Sequence, residues 1–453
     1  MNPVTLGWAG IFRLGLVQTA LGAIVVLTTS VMNRVMVVEY ALPAMLPGLL
    51  VALKDVLQLT RPHVGYGSDK GGRRTPWILG GMLILALGGT GAAVGTAIMS
   101  TSPAVGVAIT VLAFVMIGLG VGAAGTTLLV LLARHVDVGR RPAAASIVWM
   151  MMIAGFALTA GVAGHFLDPY SPARLVEVTA TVAALAMLVT VVALHGLESG
   201  LAPAQPDTAS APDAAPPRFL AALAEVWQER DARRFTVFVL VSMLAYGAQD
   251  LILEPFAGKV FGMTPGASTQ LSGVQHGGVL LGMLVVALSG SLFARSRRIA
   301  LRAWTVGGCV ASALALVGIA LSAAVAPSWP LHLNVFALGV ANGVFAVSAI
   351  ASMMTLAGEG RARREGLRMG LWGAAQAIAM GLGVFLGALA VDVAARVLIE
   401  PAAAYAVVFG LEGFLFLVAA GLGLTFASSE SGVAPQQSSG CRGMTVIQEL
   451  GGR

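Results

Sequence analysis

The sequence predicts an all-α membrane protein with twelve transmembrane helices, arranged as two pseudo-symmetric six-helix halves. Three observations lead to this fold class. Of the 453 residues, 57% are hydrophobic and 11% are charged, which is more apolar surface than a soluble domain buries. Apolar runs of about twenty residues, long enough to cross a bilayer, recur from end to end. Residues of the first half also match residues of the second half at a nearly constant spacing.

Short polar breaks, or breaks marked by Gly and Pro, separate the apolar runs. The first half is expected to contain helices over residues 10–32, 36–59, 76–99, 104–132, 143–167 and 174–196. The second half is expected to contain helices over residues 234–257, 268–293, 300–324, 332–356, 366–392 and 403–427. The predicted domains are an N-terminal bundle, a cytoplasmic linker, a C-terminal bundle and a cytoplasmic tail, over residues 1–198, 199–233, 234–428 and 429–453. Phe219, Leu223, Val226 and Trp227 share one helical face, which predicts a short interfacial helix within the linker.

The basic residues are unevenly distributed. The formal net charge is +6, and most of the 27 Lys and Arg residues fall in loops on the same side as the N-terminus. The positive-inside rule therefore predicts that both termini are cytoplasmic, and it explains the basic character without nucleic-acid binding. Arg13 precedes a long apolar stretch without a cleavage pattern, so the first helix is expected to remain as an anchor. Cys309 and Cys441 have neither metal-ligand spacing nor an evident disulfide partner.

An internal repeat supports the two-half arrangement at the level of single residues. The matched residues, first half before second half, are Arg140, Arg141, Trp149 and Asp168 with Arg363, Arg364, Trp372 and Asp392; Gly22, Ala23, Arg34 and Val35 with Gly247, Ala248, Lys259 and Val260; and Gly120 and Val121 with Gly343 and Val344. Duplication of a six-helix unit explains all three matches. Parallel halves of this kind enclose a central cavity between them.

The loop after the second predicted helix carries a known signature. Residues 65–74 read GYGSDKGGRR and fit the pattern G-x-x-x-D-[RK]-x-G-R-[RK] through Gly65, Asp69, Gly72, Arg73 and Arg74. The pattern resembles the gating loop of the major facilitator superfamily, which latches two six-helix halves together; we group Arg140 and Arg141 with it. The glycines permit a tight turn and the cations face the lipid headgroups. A solvated charge run is the alternative. In the second half the corresponding segment, residues 290–298, has Ala294 in the acidic position, so an asymmetric latch is expected.

Longer stretches resemble a narrower family. They are residues 33–40, continuing through residues 42–48 to residues 72–78; residues 120–127 with residues 147–150; and residues 248–256. These stretches are similar to the PucC/LhaA family, the bacteriochlorophyll delivery branch of the major facilitator superfamily, whose members act in the assembly of light-harvesting complexes. The resemblance covers both halves and leaves out the linker and the tail.

The resemblance implies a function, a pigment and partners. It implies an assembly factor for LH1- or LH2-type complexes in the bacterial cytoplasmic membrane, including its intracytoplasmic photosynthetic part. The cargo or bound pigment would be bacteriochlorophyll a. The implied partners are antenna α/β polypeptides, reaction centre–LH1 or LH2 assembly intermediates, bacteriochlorophyll synthase and membrane lipids.

Polar residues interrupt the apolar runs at the same stretches. They are Asn33, Arg34, Glu39, Gln249, Asp250, Glu254 and Lys259. An unpaired charge within the bilayer costs several kcal/mol, so these side chains are expected to face inward or lie near an interface. Arg34 and Lys259 are expected to pair with Glu39 and Glu254. Such pairs either stabilise the ends of helices or take part in binding a substrate or partner. Lys54 and the adjacent Asp55 suggest snorkelling or local pairing.

One histidine lies well inside a predicted helix. His276 follows Gln275 and is flanked by Gly273, Gly277 and Gly278, which leave room for a flat ring. A neutral imidazole supplies an axial nitrogen to a chlorin magnesium, so these residues form a candidate pigment site. The alternative is a buried histidine that hydrogen bonds to a neighbouring helix.

Catalytic motifs are absent from the sequence. It contains no His/Cys/Asp metal constellation, no Walker loop and no nucleophile elbow, so we expect no enzyme, no nucleotide and no structural metal. The alternative function is a proton-coupled secondary transporter of a small solute, with Asp250, Glu254 or Glu39 as protonatable groups.

Overall fold

The computed structural model describes residues 6–58, 73–198, 227–292, 297–359, 365–398 and 400–428. We number its helices α1 Trp8–Thr29, α2 Val31–Arg34, α3 Met45–Leu57, α4 Thr75–Ile98, α5 Pro103–His135, α6 Arg141–Leu167, α7 Pro172–Leu194, α8 Arg230–Phe261, α9 Pro265–Leu292, α10 Arg297–Val325, α11 Leu331–Glu359, α12 Glu365–Val397 and α13 Pro401–Ser428. No strand occurs within these ranges, which confirms the all-α prediction.

Eleven helical spans of the described residues are long and apolar enough to cross a membrane. The remaining predicted span is represented by α3, of which 13 residues are described before residues 59–72. The two six-helix halves of the major facilitator fold are thus present. Most predicted boundaries lie close to the observed ones, although α12 continues to Val397 instead of ending at residue 392.

The boundary between the first and second predicted helices was wrong. The first span runs through α1 and α2 and then through a π-helical turn, Val35–Glu39, whereas α3 begins only at Met45. The break follows from local chemistry, because Pro43 has no N–H and Ala41 adopts a left-handed φ of 52°. Residues that were assigned to the start of the second helix therefore extend the first one.

The duplicated unit appears in the packing. In the first half α1 packs on α6 and α7, and α4 packs on α5 and α7. In the second half α8 packs on α12 and α13, and α10 packs on α11 and α13, which are the corresponding pairs. Each half has a cluster of buried apolar side chains, and the cluster of the first half also includes Leu251, Val384 and Ala388 of the second half. Because the predicted linker lies mostly outside the described residues, its interfacial helix and the domain boundaries stay predictions.

Two pairs of long helices form the main contact between the halves, α6 with α9 and α3 with α12. The short α2 of the first half also contacts α8 of the second half. At the first crossing a Cβ on Gly164 would lie 2.7 Å from the carbonyl oxygen of Gly266, so the two backbones are almost in contact. Chain direction puts the end of α6, the end of α12 and the starts of α3 and α9 on one side of the membrane. We call this the latch side; it is opposite the side on which α1 begins.

Candidate functional site

Polar side chains gather where α2 meets α8, between the two halves. Asn33 is 2% exposed, and its Nδ2 donates to the carbonyl oxygen of Leu251 at 2.5 Å. That carbonyl has no ordinary helical partner, because residue 255, four positions later, is a proline without an N–H. A side chain of the first half thus satisfies the backbone of the second half.

Arg34 bridges the halves one residue later. Its guanidinium pairs with the Glu39 carboxylate and donates to the carbonyl oxygen of Met263 at 2.5 Å. It lies against Gly258, where a Cβ would be 3.1 Å from Nη2. The π-helical turn explains the predicted Arg34–Glu39 pair, since its i→i+5 geometry brings residues five apart onto one face.

The second predicted pair, Lys259 with Glu254, is not formed. Lys259 is exposed, and the acidic group within its electrostatic range is Asp392. Glu254 is 2% exposed and lies near the hydroxyls of Ser30 and Ser272. In a regular α-helix such as α8, side chains five residues apart point in directions that differ by roughly 140°. Glu254 and Lys259 therefore do not pair as Arg34 and Glu39 do across the π-helical turn.

Glu254 is a buried acid that lies next to a hydrogen bond between the two halves. Ser30 of the first half and Ser272 of the second half are hydrogen bonded to each other, with 3.2 Å between their oxygens. Neither carboxyl oxygen of Glu254 makes a hydrogen bond of ordinary geometry to any described residue. The same holds for both amide atoms of Gln249, which is fully buried. Such unpaired groups are rare in protein interiors and mark sites that bind or change partner.

Two aspartates at matching repeat positions cap helices of the opposite half. Asp392, near the end of α12, accepts hydrogen bonds from the backbone N–H groups of Ala44 at 2.9 Å and Met45 at 2.7 Å, at the start of α3. Asp168, after α6, accepts from the Thr264 hydroxyl at 2.6 Å and from the Gly266 N–H at 3.1 Å, at the start of α9. We call these reciprocal contacts the carboxylate caps; the repeat had marked both residues without revealing their role.

Charged side chains deeper between the halves form a second group. Lys54 and Asp55 of α3 pair at 3.0 Å, and their side chains are 9% and 12% exposed. Asp250 of α8 lies within electrostatic range of this pair and of His276 of α9. Local pairing of Lys54 is therefore correct, but the lysine is buried and does not snorkel to the headgroups. The sequence feature that indicated this group was the adjacent charged pair Lys54 and Asp55 within an apolar run.

His276 is 6% exposed. Its Nδ1 lies 2.8 Å from the carbonyl oxygen of Ser272, one turn earlier in α9. A proton on Nδ1 would leave Nε2 with a free lone pair, and Nε2 makes no hydrogen bond within the part of the chain that is described. The ring of Phe156, from α6, meets the imidazole edge-to-face at 5.1 Å.

The glycines around His276 differ in the room they leave. A Cβ on Gly273 would lie 2.9 Å from the Gly161 nitrogen of α6, and a Cβ on Gly278 would overlap the carbonyl oxygen of Phe336. These two serve helix packing, so the open face expected there is wrong. Nothing lies within 4 Å of the corresponding position on Gly277. Gln275, 3% exposed, is buried beside the candidate ligand.

Of the signature loop, residues 65–74, only Arg73 and Arg74 are among the described residues. Gly65, Asp69 and Gly72 lie outside the described residues. The backbone N–H groups of Arg74 and Thr75 donate to the Glu198 carboxylate at 2.8 and 3.0 Å, which caps α4 within the first half. Arg73 is exposed.

The two arginines grouped with that loop make contacts within the first half. Arg140 pairs with Asp137, and its guanidinium lies 5.7 Å from the ring centre of Trp8. Arg141 donates to the carbonyl oxygen of Val136 at 3.0 Å. A gating role for these residues stays a prediction.

On the latch side, Tyr40 and Tyr170 join through their hydroxyls, 3.1 Å apart. Burial, together with this hydrogen bond, raises the pKa of Tyr170 well above its ordinary value of 10. Tyr170 therefore stays neutral, and its hydrogen bond to Tyr40 holds the π-helical turn against the loop between α6 and α7.

Comparison with known proteins matches nearly the whole chain. The family model described as PUCC protein matches residues 31–429. A Rhodobacter capsulatus protein named "Bacteriochlorophyll synthase 44.5 kDa chain" is 52% identical over 419 residues, which cover 92% of this chain and 95% of the relative. A Cereibacter sphaeroides protein named "Protein PucC" is 29% identical over 434 residues, which cover 90% of each chain.

Solved structures with the same fold are transporters. A peptide transporter, POT, in complex with sulfate superposes with a TM-score of 0.67 at 16% identity and covers 95% of this chain and 96% of its own. A bacterial homologue of the lysosomal transporter Spinster, inward-facing and unoccupied, gives a TM-score of 0.67 at 15% identity, with 93% and 96% covered. At this level of identity the similarity shows the major facilitator fold alone.

Proposed function

Because the chain belongs to the PUCC protein family, we propose that it helps to assemble light-harvesting complexes of the LH1 or LH2 type. In this proposal it binds or delivers bacteriochlorophyll, antenna polypeptides or both within the membrane. The names of two relatives support the photosynthetic setting, one through bacteriochlorophyll and the other through PucC. The same setting favours the bacterial cytoplasmic membrane, and the loop charges favour cytoplasmic termini. Reporter fusions at both ends of the chain test that orientation.

The state of His276 carries the pigment part of the proposal. With Nδ1 directed to the Ser272 carbonyl, Nε2 is the nitrogen that would bind the magnesium of bacteriochlorophyll a. Gly277 offers the open side from which a macrocycle approaches. Since the imidazole is 6% exposed and lies against Phe156, ligation requires Phe156 to move or the halves to part. Bacteriochlorophyll would supply the magnesium, and this chain would supply the nitrogen that binds it.

The test is purification from a pigment-making host. We expect bacteriochlorophyll to copurify with the wild type and to be lost in His276→Ala. The matched control is His332→Ala, because His332 is exposed at the start of α11. Equal pigment per protein in the His276 variant and in the wild type would contradict ligation at this residue.

A handover role also requires protein partners. We propose antenna α/β polypeptides, assembly intermediates of the reaction centre–LH1 or LH2 complexes and bacteriochlorophyll synthase as those partners. Helix faces with small residues admit a single antenna helix at close range. Crosslinking during active antenna synthesis is expected to capture at least one of these classes, and capture of none during that period would contradict the docking half of the proposal.

We propose binding and handover instead of catalysis. The name of the 52% identical relative describes a chain of a bacteriochlorophyll synthase, and a non-catalytic carrier within a multi-chain synthase is consistent with that name. The purified protein alone is expected to form no bacteriochlorophyll from its precursor. Synthase activity in that assay would refute the proposal.

A second candidate function follows from buried acids in a transporter fold. Asp250 and Glu254 lie between the halves, where transporters of this fold place coupling groups. Proton-driven uptake of a small solute by proteoliposomes, with antenna levels unchanged on deletion of the gene, would favour this candidate over assembly.

A further inference from the structure

The interior of the second half contains polar side chains from four helices at a single depth. They are Gln249 of α8, Ser312 of α10, Asn342 of α11 and Glu412 of α13. Each of them is at most 2% exposed. We call this group the polar layer. None of its members takes part in the contacts between the halves or in the candidate site at His276.

Aromatic contacts fix the depth of the polar layer. Toward the latch side, Phe256 of α8 meets Phe409 of α13, with 5.1 Å between ring centres. Toward the opposite side, Phe345 of α11 meets Phe238 of α8 at 6.0 Å and Phe416 of α13 at 5.8 Å. These rings belong to one cluster of buried side chains in the second half. They mark which faces of α8, α11 and α13 meet inside this half.

Helical periodicity puts the polar residues on the faces that carry these rings. Gln249 lies between the two rings of α8, eleven residues after one and seven before the other, which is close to three and two whole turns. Glu412 lies between the two rings of α13, and Asn342 lies one turn before the ring of α11. The Ser312 hydroxyl donates to Asn342 Oδ1 at 2.8 Å, which brings α10 to the same depth. The polar layer is therefore enclosed between two sets of aromatic rings.

Most polar atoms of this layer have no hydrogen-bond partner among the described residues. The unpaired atoms are both carboxyl oxygens of Glu412, both amide atoms of Gln249 and Nδ2 of Asn342. No charged group of the described ranges lies within electrostatic range of Glu412. An ionised carboxylate without a counter-ion is strongly unfavourable in an apolar core, and buried charges are normally paired or bound to a metal ion.

The duplicated fold does not require polar groups at this depth. The repeat places Ile24 opposite Gln249 and Leu119 opposite Asn342, because these residues directly adjoin matched positions. The first half thus has apolar side chains where the second half has amides. The amides of the second half are therefore expected to serve a purpose that the first half does not share.

We propose that the polar layer is a binding site for one sodium ion. Five oxygen atoms are available, two from Glu412 and one each from Gln249, Asn342 and Ser312. Asn342 Oδ1 keeps a second lone pair beside the one that Ser312 uses. Carboxylate, amide and hydroxyl oxygens are hard ligands that replace the hydration shell of an alkali cation.

The charge of the site selects a monovalent ion. One carboxylate neutralises one positive charge, whereas a divalent ion would leave a net charge buried among aromatic rings. The ion lies inside one half, so it holds α8, α10, α11 and α13 together whether the two halves are in contact or apart. This role is independent of pigment and antenna binding.

Thermal unfolding measures the binding, because an ion that binds only the folded second half stabilises it by mass action. Cys309 provides the readout, since it is fully buried in α10 one turn before Ser312. With Cys441 replaced by serine, the reaction of Cys309 with a thiol-reactive fluorophore on heating reports unfolding of this half. Sodium is exchanged for choline at constant pH and ionic strength. The midpoint is expected to rise by about 5 °C or more once sodium is about a hundredfold above its dissociation constant.

Two glutamine variants separate this site from a general effect of buried acids. Glu412→Gln removes the charge and keeps the size of the side chain, so the sodium shift is expected to vanish. Radiolabelled sodium, measured by scintillation proximity, is expected to bind the wild type and not this variant. Glu254→Gln is the matched control, because Glu254 is also 2% exposed and without a hydrogen bond of ordinary geometry to a described residue, yet lies between the halves. It is expected to respond to sodium like the wild type.

A third variant keeps the test decisive if Glu412→Gln does not fold. Gln249→Ile introduces the residue at the matching position of the first half and removes one oxygen ligand. About tenfold more sodium is then expected to be needed for half of the shift.

Five outcomes would overturn the proposal. They are equal midpoints of the wild type in sodium and choline, a full shift in Glu412→Gln, a lost shift in Glu254→Gln, an unchanged sodium requirement in Gln249→Ile, and a larger shift with calcium than with sodium. The first would mean that Glu412 is held as a neutral acid, and the last that the site takes a divalent ion.

Discussion

Removing the carboxylate caps is expected to open the latch side. Asp392→Ala deletes both hydrogen bonds at the start of α3, whose own cap position is Ala44 and provides no side-chain acceptor. Asp168→Ala deletes the equivalent contacts at the start of α9. The loss of a helix cap costs about 0.5–2 kcal/mol. Here each cap comes from the opposite half, so the loss falls on the contact between the halves and leaves each bundle intact.

The magnitude is large enough to measure. With about 1–2 kcal/mol for each cap, each single variant is expected to lower the closed-to-open ratio by about five- to thirtyfold. The two caps share no residue, so the double variant is expected to lose about 2–4 kcal/mol by addition. Nitroxide labels at Ser100, between α4 and α5, and at Ser328, between α10 and α11, report the change, because both residues are exposed on the latch side and belong to different halves. With Cys309 and Cys441 replaced by serine, double electron–electron resonance at one fixed pH is expected to show growth of the long-distance population.

A carboxylate cap inside one half provides the control. Glu198 accepts from the backbone of Arg74 and Thr75 at the start of α4 with similar geometry, and all three residues belong to the first half. Glu198→Ala is expected to lower thermal stability without opening the latch side. Our explanation is refuted if both aspartate variants keep the wild-type distances, or if the Glu198 variant opens the halves to the same extent.

Three further outcomes are expected. Gly266→Ala places a methyl group onto the Asp168 carboxylate and the Gly164 carbonyl, so it is expected to open the same junction in the label experiment, and unchanged distances would count against the close packing. Asn33→Ala leaves the Leu251 carbonyl buried without a donor and is expected to lower the unfolding midpoint, in line with a loss of about 1–3 kcal/mol; Asn33→Asp tests whether the lost donor is the cause. Tyr170 is expected to remain un-ionised in alkaline titration beyond pH 10, so the ultraviolet difference spectra of the wild type and Tyr170→Phe should coincide up to that pH.

The helices and their duplication could be predicted from the sequence because both depend on local apolar runs and on residue identity. The π-helical turn could not. The run that includes Val35 and Val38 has the same hydropathy whether it ends one helix or begins the next, and the turn is recognised only from its i→i+5 hydrogen bonds. The Arg34–Glu39 pair was predicted correctly, but its repeat counterpart at Lys259 was not, because the two positions differ in helix type.

The inter-half contacts were the least predictable part of the site. Asp168 and Asp392 were visible as repeat positions, yet their partners are backbone N–H groups of distant helix starts, which carry no residue signature. Ser30 and Ser272 are ordinary small polar residues until two helices bring them together. Sequence identifies which polar groups lie in the membrane, whereas their partners depend on how the two halves dock.

The two crossings between the halves differ in tightness, which gives a last prediction. A Cβ on Gly273 would lie 2.9 Å from the Gly161 nitrogen, whereas a Cβ on Gly381 meets Asp55 at 3.5 Å and Ala52 no closer than 3.8 Å. Gly273→Ala is therefore expected to cost about 1–3 kcal/mol through overpacking. Gly381→Ala is expected to be neutral or to gain up to about 1 kcal/mol from helix propensity. Thermal unfolding of pigment-free protein distinguishes packing from pigment binding at Gly273, because a loss that appears only when pigment is present would reassign this glycine to the pigment site.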